Sequence, residues 1–422
     1  MPRLQLSLSA ALTLLIALSV GTALAQEPVL ISEEGDFEGS AVIHDDEALS
    51  DAITFTMTNV PKLDEALAYV GWLISDDEST ILKTGTMILD DGSISHIYDS
   101  LTLGYTGENL IRGYDRLIIT VESLEAEILA PSGETVFSYK VPADVIEHVR
   151  NLVTDWPPDS RIGILTNLIS QLEVALAHAS VAADKTSIED VRNQIELAVN
   201  ALEGPDGDNY GDLDGDGTIE DVGDGVGVVA RVRQREETDF VLNPSFDDTL
   251  IMAHLVGLEL DGLNIESLVD KAVTEALLAL DELVLDRAKV SAAGVAGFIE
   301  VALKGVDTDA SDVIDSVLGE GGAVQAYVEA QLMATYSLQV GPIPTPIPTP
   351  TPSPSPSPSP SPTPTPTATP TPLVAVATLT PTPEAPSVGD PTVPAAAPIG
   401  LILALVLLLG GGALLWRRGT PR

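Results

Sequence analysis

The sequence predicts a mixed β and α fold in several domains: an N-terminal antiparallel β-sandwich, a small α-helical bundle, a Pro-rich stalk and a single C-terminal transmembrane helix. Three observations predict it. Apolar and β-branched side chains alternate with period two through short runs between residues 52 and 121, apolar positions recur at three and four from residue 162 onward, and proline takes nearly every second position from Pro342 to Pro372 ahead of a long uncharged run.

Residues 1–25 read as an export signal. Arg3 precedes an apolar run from Leu4 to Leu24, and Ala23-Leu24-Ala25 offers small residues at the alternate positions that signal peptidase takes, with the cut before Gln26. An uncleaved N-terminal anchor is the alternative; the short apolar core and the A-x-A site favour cleavage.

Residues 26–142 carry the strand signals. Ala52 to Met57, Ala68 to Ile74, Ile81 to Leu89 and Leu117 to Val121 are apolar or β-branched in alternation. Turn formers separate them: Asp76-Asp77, Asp90-Asp91-Gly92, Thr106-Gly107-Glu108 and Pro131-Ser132-Gly133. Short strands with regular turns predict a compact antiparallel sandwich. Trp72 is expected in its core, and Glu122, at a strand end, on a solvated face.

In residues 143–340 the period becomes helical. Ile162, Leu165, Leu168, Ile169, Leu172, Leu176 and Ala179 form one face. A second helix is predicted from Thr186, with Glu189 completing a capping box, the face Ile188, Val191, Ile195, Ala198, Val199 and Leu202, and Gly204 as its stop. Further helices are expected over 246–260, 265–280, 283–303 and 324–336, which together make a small bundle.

Within that region the segment 206–224 is the most chemically informative. From Asp212 it reads D-L-D-G-D-G-T-I-E, a D-x-D-x-D-G-x-I core similar to the calcium loops of EF-hand and dockerin proteins. Asp212, Asp214 and Asp216 supply carboxylates at alternate positions, Gly217 permits the sharp turn, Thr218 offers its carbonyl, Glu220 ligates through water, and Ile219 is expected to pack the loop against the core. The twelfth position, where the resemblance implies a bidentate acid, is Gly223, so Asp221 or Asp224 is expected to swing in. Calcium is the expected ion and clamping two helices its expected role. A plain acidic Gly-Asp linker is the alternative.

The stalk, 341–392, alternates Pro with Ser and Thr. Proline fixes φ and lacks an amide donor, so extended polyproline II is expected, at about 3.1 Å per residue. Ser and Thr between prolines are expected either as O-glycosylation acceptors or as a bare spacer. The uncharged run 395–416 is long enough to cross a bilayer core of about 30 Å. Arg417 and Arg418 open the tail, 417–422, and place it in the cytosol by the positive-inside preference. The expected location is the plasma membrane, single-pass type I, with the ectodomain extracellular.

Composition narrows function. The chain has 63 acidic and 20 basic residues, a formal net charge of −43. Arg3, Arg417, Arg418 and Arg422 fall in end segments that hold no acid, so the remainder is more acidic still. Such a surface repels nucleic acid and anionic headgroups, because phosphate binding needs Lys and Arg to displace counterions. There is no cysteine, which removes disulfides, thiolate metal sites and cysteine nucleophiles. His44, His96, His148, His178 and His254 show no H-x-x-x-H or H-E-x-x-H spacing, and neither G-x-S-x-G nor a phosphate-cradling Gly loop is present. No catalytic residues are assigned and an enzyme is not expected.

One further resemblance rests on an ordered set of residues. Tyr69-Val70-Gly71-Trp72-Leu73, Gly85 before Asp91-Gly92, Ile119-Thr120-Val121-Glu122 and Pro131-Ser132-Gly133 resemble the extracytoplasmic domain of anti-sigma-K factors over about residues 50–142. Ser132 stands where that pattern has Thr, and its Gly-Gly after the T-V-E strand is missing. In that family a cytosolic domain precedes the membrane helix; here the resembling region follows an export signal, so direct sigma-factor binding is not expected. Together these readings predict a non-enzymatic, membrane-anchored bacterial surface protein that binds or senses an extracellular ligand or surface protein. The alternatives are an envelope-stress component acting with a partner membrane protein, and a cell-wall hydrolase.

Overall fold

The computed structural model describes residues 37–99, 107–125, 127–158, 160–237 and 248–342, all of which fall in one compact unit. The expected signal, the spanning helix, the tail and the stalk beyond Pro342 lie outside the described residues.

Strand formation follows the period-two pattern. In β2 (Ala52–Thr58), Ile53, Phe55 and Met57 are buried while the intervening threonines face outward. The same alternation places Ala41 and Ile43 of β1 (Glu38–His44) and Leu117, Ile119 and Val121 of β7 (Arg116–Ser123) in one apolar cluster. β3 (Leu67–Ile74) and β4 (Ile81–Met87) form a hairpin, and β5 (Leu89–Asp90) turns at Asp91-Gly92 into β6 (Ser93–Asp99). A one-turn helix α1 (Leu110–Gly113) precedes β7, and β8 (Glu134–Lys140) follows it.

The sheets are closed by two short strands that follow the helices. β9 (Tyr336–Ser337) pairs with β1 and β10 (Gln339–Val340) with β8, all antiparallel, giving orders β5-β6-β2-β1-β9 and β10-β8-β7-β3-β4. Residues 336–340, expected in the helical region, therefore belong to the sheets. Tyr336 is the reason: its ring is fully buried, edge-on to Tyr139 at 6.4 Å, and its hydroxyl donates to the Tyr114 carbonyl at 3.4 Å. The helices after β8 are thus an insertion between β8 and β9.

That insertion runs α2 (Ala143–Val153), α3 (Ile164–Asp184), α4 (Ile188–Glu203), α5 (Val228–Glu237), α6 (Thr249–Asp281), α7 (Leu285–Lys304) and α8 (Ala323–Leu332). α3 and α4 form one antiparallel hairpin, α6 and α7 another, and α3 packs on α7. Among the described helices α3 is long and apolar enough to cross a membrane, yet Leu165, Leu168, Leu172, Ala175 and Ala179 bury it as a core helix. Two polar joints tie bundle to sheets. Arg150 of α2 grips the Asp76 carboxylate with both terminal guanidinium nitrogens, at 2.5 and 2.8 Å, and donates from Nε to the Ile111 carbonyl at 2.9 Å. Gln331 of α8 donates to Asp45 Oδ1 at 2.6 Å, which also accepts from the Tyr327 hydroxyl at 3.0 Å.

Three helix expectations are corrected. The cap of α4 is Ser187, whose hydroxyl accepts from the Asp190 amide, not Thr186. α3 begins at Ile164, after Gly163, leaving Ile162 outside it and exposed. The two helices expected over 246–260 and 265–280 are the single 33-residue α6. A break at Asp261-Gly262-Leu263-Asn264 does not occur because Asp261 and Asn264 bond outward to another loop rather than to their own backbone.

Five of the residues that carry the family resemblance, Trp72, Thr120, Glu122, Ser132 and Gly133, form one hydrogen-bond network. Trp72 Nε1 donates to Thr120 Oγ1 (2.8 Å), and that hydroxyl donates to Glu122 Oε1 (2.6 Å). Glu122 also accepts from the Ser132 hydroxyl (2.6 Å) and from the Ser132 and Gly133 amides (2.9 and 3.0 Å). Glu122 is therefore buried, not on a solvated face, because the turn at 131–133 supplies donors. A Cβ on Gly133 would overlap the Val121 carbonyl, which is why glycine ends that turn. Burial opposes the Glu122 charge, but these donors outweigh it and hold the carboxyl below its ordinary value. A lowered carboxyl contributes stability above its ordinary titration range and loses it as pH falls through the folded value.

Two outcomes follow for the full chain. Tyr336→Ala is expected to lower stability by about 3–5 kcal/mol, the usual loss for a large aromatic removed from a core, with helix dichroism and tryptophan fluorescence lost in one transition; separate transitions would show that sheets and bundle fold apart. Glu122→Gln is expected to destabilise by about 1–3 kcal/mol at neutral pH and to flatten the acid limb of the stability curve, read by denaturant titration from about pH 6 down to pH 3.

Candidate metal centre

The acidic segment is a closed loop between α4 and α5. Gly204 ends α4 as expected, and the chain returns to Gly227, against which the Gly204 backbone packs. Inside the loop the carboxylates of Asp212, Asp214 and Asp216 are oriented by amides two to five residues ahead. Asp212 accepts from Gly215 (2.8 Å) and Gly217 (3.0 Å), Asp214 from Asp216 (3.0 Å), and Asp216 from Thr218 (2.8 Å). Gly217 has φ 96°, so the turn it makes favours glycine. Carboxylate oxygens of Asp212, Asp214 and Asp216 lie within 4.8 Å of one another.

Helix α4 holds the loop through two buried polar residues. Glu196, fully buried, accepts from the amides of Leu213 (2.8 Å), Asp214 (2.9 Å) and Glu220 (3.0 Å). Asn200 donates to the carbonyls of Gly211 (3.0 Å) and Glu220 (2.7 Å) and accepts from the Gly211 amide (2.9 Å). Glu196, Asp214 and Glu220 form a second three-carboxylate group within 4.8 Å. Desolvation, then the neighbouring carboxylates Asp216, Glu196 and Asp214, raise the Glu220 carboxyl.

Not all expected ligands converge. Asp224 turns to Arg231, whose Nε donates to it at 3.0 Å and whose Nη2 also pairs with it, and it accepts from the Val226 and Gly227 amides ahead of α5. Burial works against its charge, but Arg231 and those amides hold the carboxyl below its ordinary value. Asp221 accepts from the Gly223 amide (2.7 Å) and the Tyr210 hydroxyl (3.3 Å). Neither belongs to an acidic group among the described residues; the acid that reaches the loop from outside is Glu196. Ile219 is exposed rather than packed on the core, and Leu213 packs there instead, because Glu196 draws the amides of Leu213 and Asp214 toward α4.

A second loop repeats the build. Gly305 ends α7 and the chain returns at Gly322 before α8. Asp307 accepts from Ser311 (3.2 Å) and Asp312 (3.0 Å), Asp309 from Ser311 (3.0 Å), and the Ser311 hydroxyl from Val313 (3.3 Å). Glu320 accepts from the Thr308 (3.1 Å) and Asp315 (3.3 Å) amides, as Glu196 does from the matching Leu213 and Glu220. Asp307, Asp309 and Glu320 lie within 4.8 Å of one another. Sequence reasoning missed Glu196, Asn200 and this loop. The signals were present: polar residues one turn apart inside the apolar run 195–202, and D-T-D-A-S-D-V-I-D, which matches D-L-D-G-D-G-T-I-E in register.

Comparison of the chain with protein-family models, with curated proteins and with solved structures returns no match.

If Glu196 anchors the loop, Glu196→Gln leaves amides facing a weaker and partly repulsive group. The expected loss is about 1–3 kcal/mol for each buried donor left unsatisfied, together with faster amide exchange over residues 211–221. Unchanged exchange there would sink the anchoring role.

Proposed function

We propose that the chain is a non-enzymatic, membrane-anchored bacterial surface protein whose sandwich and helical insertion form one extracellular binding or sensing unit, stiffened by calcium. The observation that carries the calcium reading is the donor set at 212–220. It is all oxygen, three carboxylates within 4.8 Å of one another with the Thr218 carbonyl next in the sequence pattern, which suits a hard cation such as calcium rather than zinc. Charges this close repel by about 1 kcal/mol per pair in water and about 4 in partly buried surroundings, and a divalent ion removes that repulsion. Asp212, Asp214 and Asp216 would hold the ion, Thr218 would add its carbonyl and Glu220 a water-mediated or direct contact; Glu196 would take the place of the acid absent at Gly223.

Topology and family rest on the sequence. The export signal, the stalk, the spanning run and Arg417-Arg418 support single-pass type I anchoring in the plasma membrane. The anti-sigma-K-like residues support a sandwich of that extracytoplasmic kind. They also favour a second reading, an envelope-stress component that needs a partner membrane protein.

Calorimetric titration of the full chain with calcium is expected to give binding in the range of about 10⁻⁴ to 10⁻³ M, as in extracellular modules. The double change Asp212→Ala, Asp216→Ala is expected to remove the heat of this loop. Unchanged heats in that variant would overturn the assignment, and Asp307→Ala serves as the comparison in the second loop.

A further inference from the structure

Loop 305–322 is held to α6 by two residues of that helix. Asn264 donates to the carbonyls of Val317 (2.8 Å) and Gly321 (3.1 Å) and accepts from the Gly319 amide (2.7 Å). Asp261 Oδ2 accepts from the Ser316 hydroxyl (2.8 Å), while Oδ1 has no partner although the residue is fully buried. Gly321 lies directly on that orphan oxygen, and a Cβ there would overlap it. The charged groups near Asp261 do not neutralise it. Glu329 of α8 is another acid, engaged with His254 of α6 at 2.6 Å, and Glu320 of the loop is an acid committed to Thr308 and Asp315.

We infer that Asp261 and the segment 305–322 form a proton-operated latch, closed over α6 while the buried carboxyl is neutral and released when it ionises. A carboxylate with one hydroxyl donor and no cation is poorly accommodated in a dry site, whereas the neutral acid fits. Burial is the main cause that raises the Asp261 carboxyl to about 7, the Ser316 bond opposes it and Glu329 adds to it. The folded state thus keeps a proton that the opened state sheds, so latch stability falls as pH rises from the ordinary carboxyl range of about 4 to about 7, then levels. Asp307 and Glu320 shift the other way, below their ordinary values. The latch would close in mildly acidic surroundings and loosen the second acidic loop near neutrality.

Amide hydrogen exchange of the full chain, corrected for intrinsic rate, tests this. Between about pH 5 and pH 6.5 the protection of residues 305–322 is expected to drop about tenfold per pH unit, while that of 211–221 stays level. Asp261→Asn is expected to keep protection high and independent of pH. His254→Gln, which removes the partner of Glu329, is expected to retain the pH dependence. Gly321→Ala, which pushes the loop off the carboxyl, is expected to give low protection throughout. Level protection in the natural chain would overturn the inference, as would an unchanged slope in Asp261→Asn or its disappearance in His254→Gln.

Discussion

A chain with 63 acidic and 20 basic residues cannot neutralise its carboxylates with its own cations, and the fold is organised around the substitute it uses, the backbone amide. Glu122 takes two amides and one hydroxyl at the 131–133 turn and a second hydroxyl from Thr120, Glu196 takes three amides, Asp248 caps α6 through Leu250 and Ile251, and Asp212 takes two. Amide donors cluster only where the chain turns or a helix begins. The acids are accordingly placed at turns, caps and loops, as Asp212 and Asp248 are, or on a strand or helix facing such a turn, as Glu122 and Glu196 are.

That constraint accounts for the repeated plan of the insertion. Each helical hairpin is followed by an acidic loop closed at a glycine neck and leading into another helix, α3-α4-α5 and then α6-α7-α8. In each, the preceding hairpin contributes a buried acid and an asparagine that bond to the loop: Glu196 and Asn200 in one, Asp261 and Asn264 in the other. The difference lies in saturation. Glu196, on the second helix of its hairpin, has donors on both oxygens, whereas Asp261, on the first helix of its own, has one donor on one oxygen.

Much of the fold was legible from periodicity. Ile53-Phe55-Met57 and Leu117-Ile119-Val121 alternate strongly enough to place strands, and Leu165-Leu168-Leu172 to place a helix. What could not be read were features decided by distant partners. β9 and β10 are two residues each, too short for any period, and exist because β1 and β8 offer open edges. The continuity of α6 through Asp261-Gly262-Leu263-Asn264 depends on a loop about fifty residues later that takes up the polar groups. The carboxylate spacing at Asp212, Asp214 and Asp216 was visible, but Glu196, which groups with Asp214 and Glu220, comes from α4, upstream of the loop.

The same amide scaffolding bears on how the loops would meet a cation. A carboxylate oxygen has two acceptor sites, and an amide occupies only one. Asp212, Asp214 and Asp216 can therefore keep the bonds that orient them while presenting their remaining lone pairs to a hard ion. Ordering the loop is then largely done before the ion arrives, which lowers the entropy lost on binding. It also limits the gain, because a loop already held by Glu196 and Asn200 folds little further when the charge is neutralised. An ion seated here would act chiefly on repulsion between carboxylates, tightening a shape that the helix already imposes.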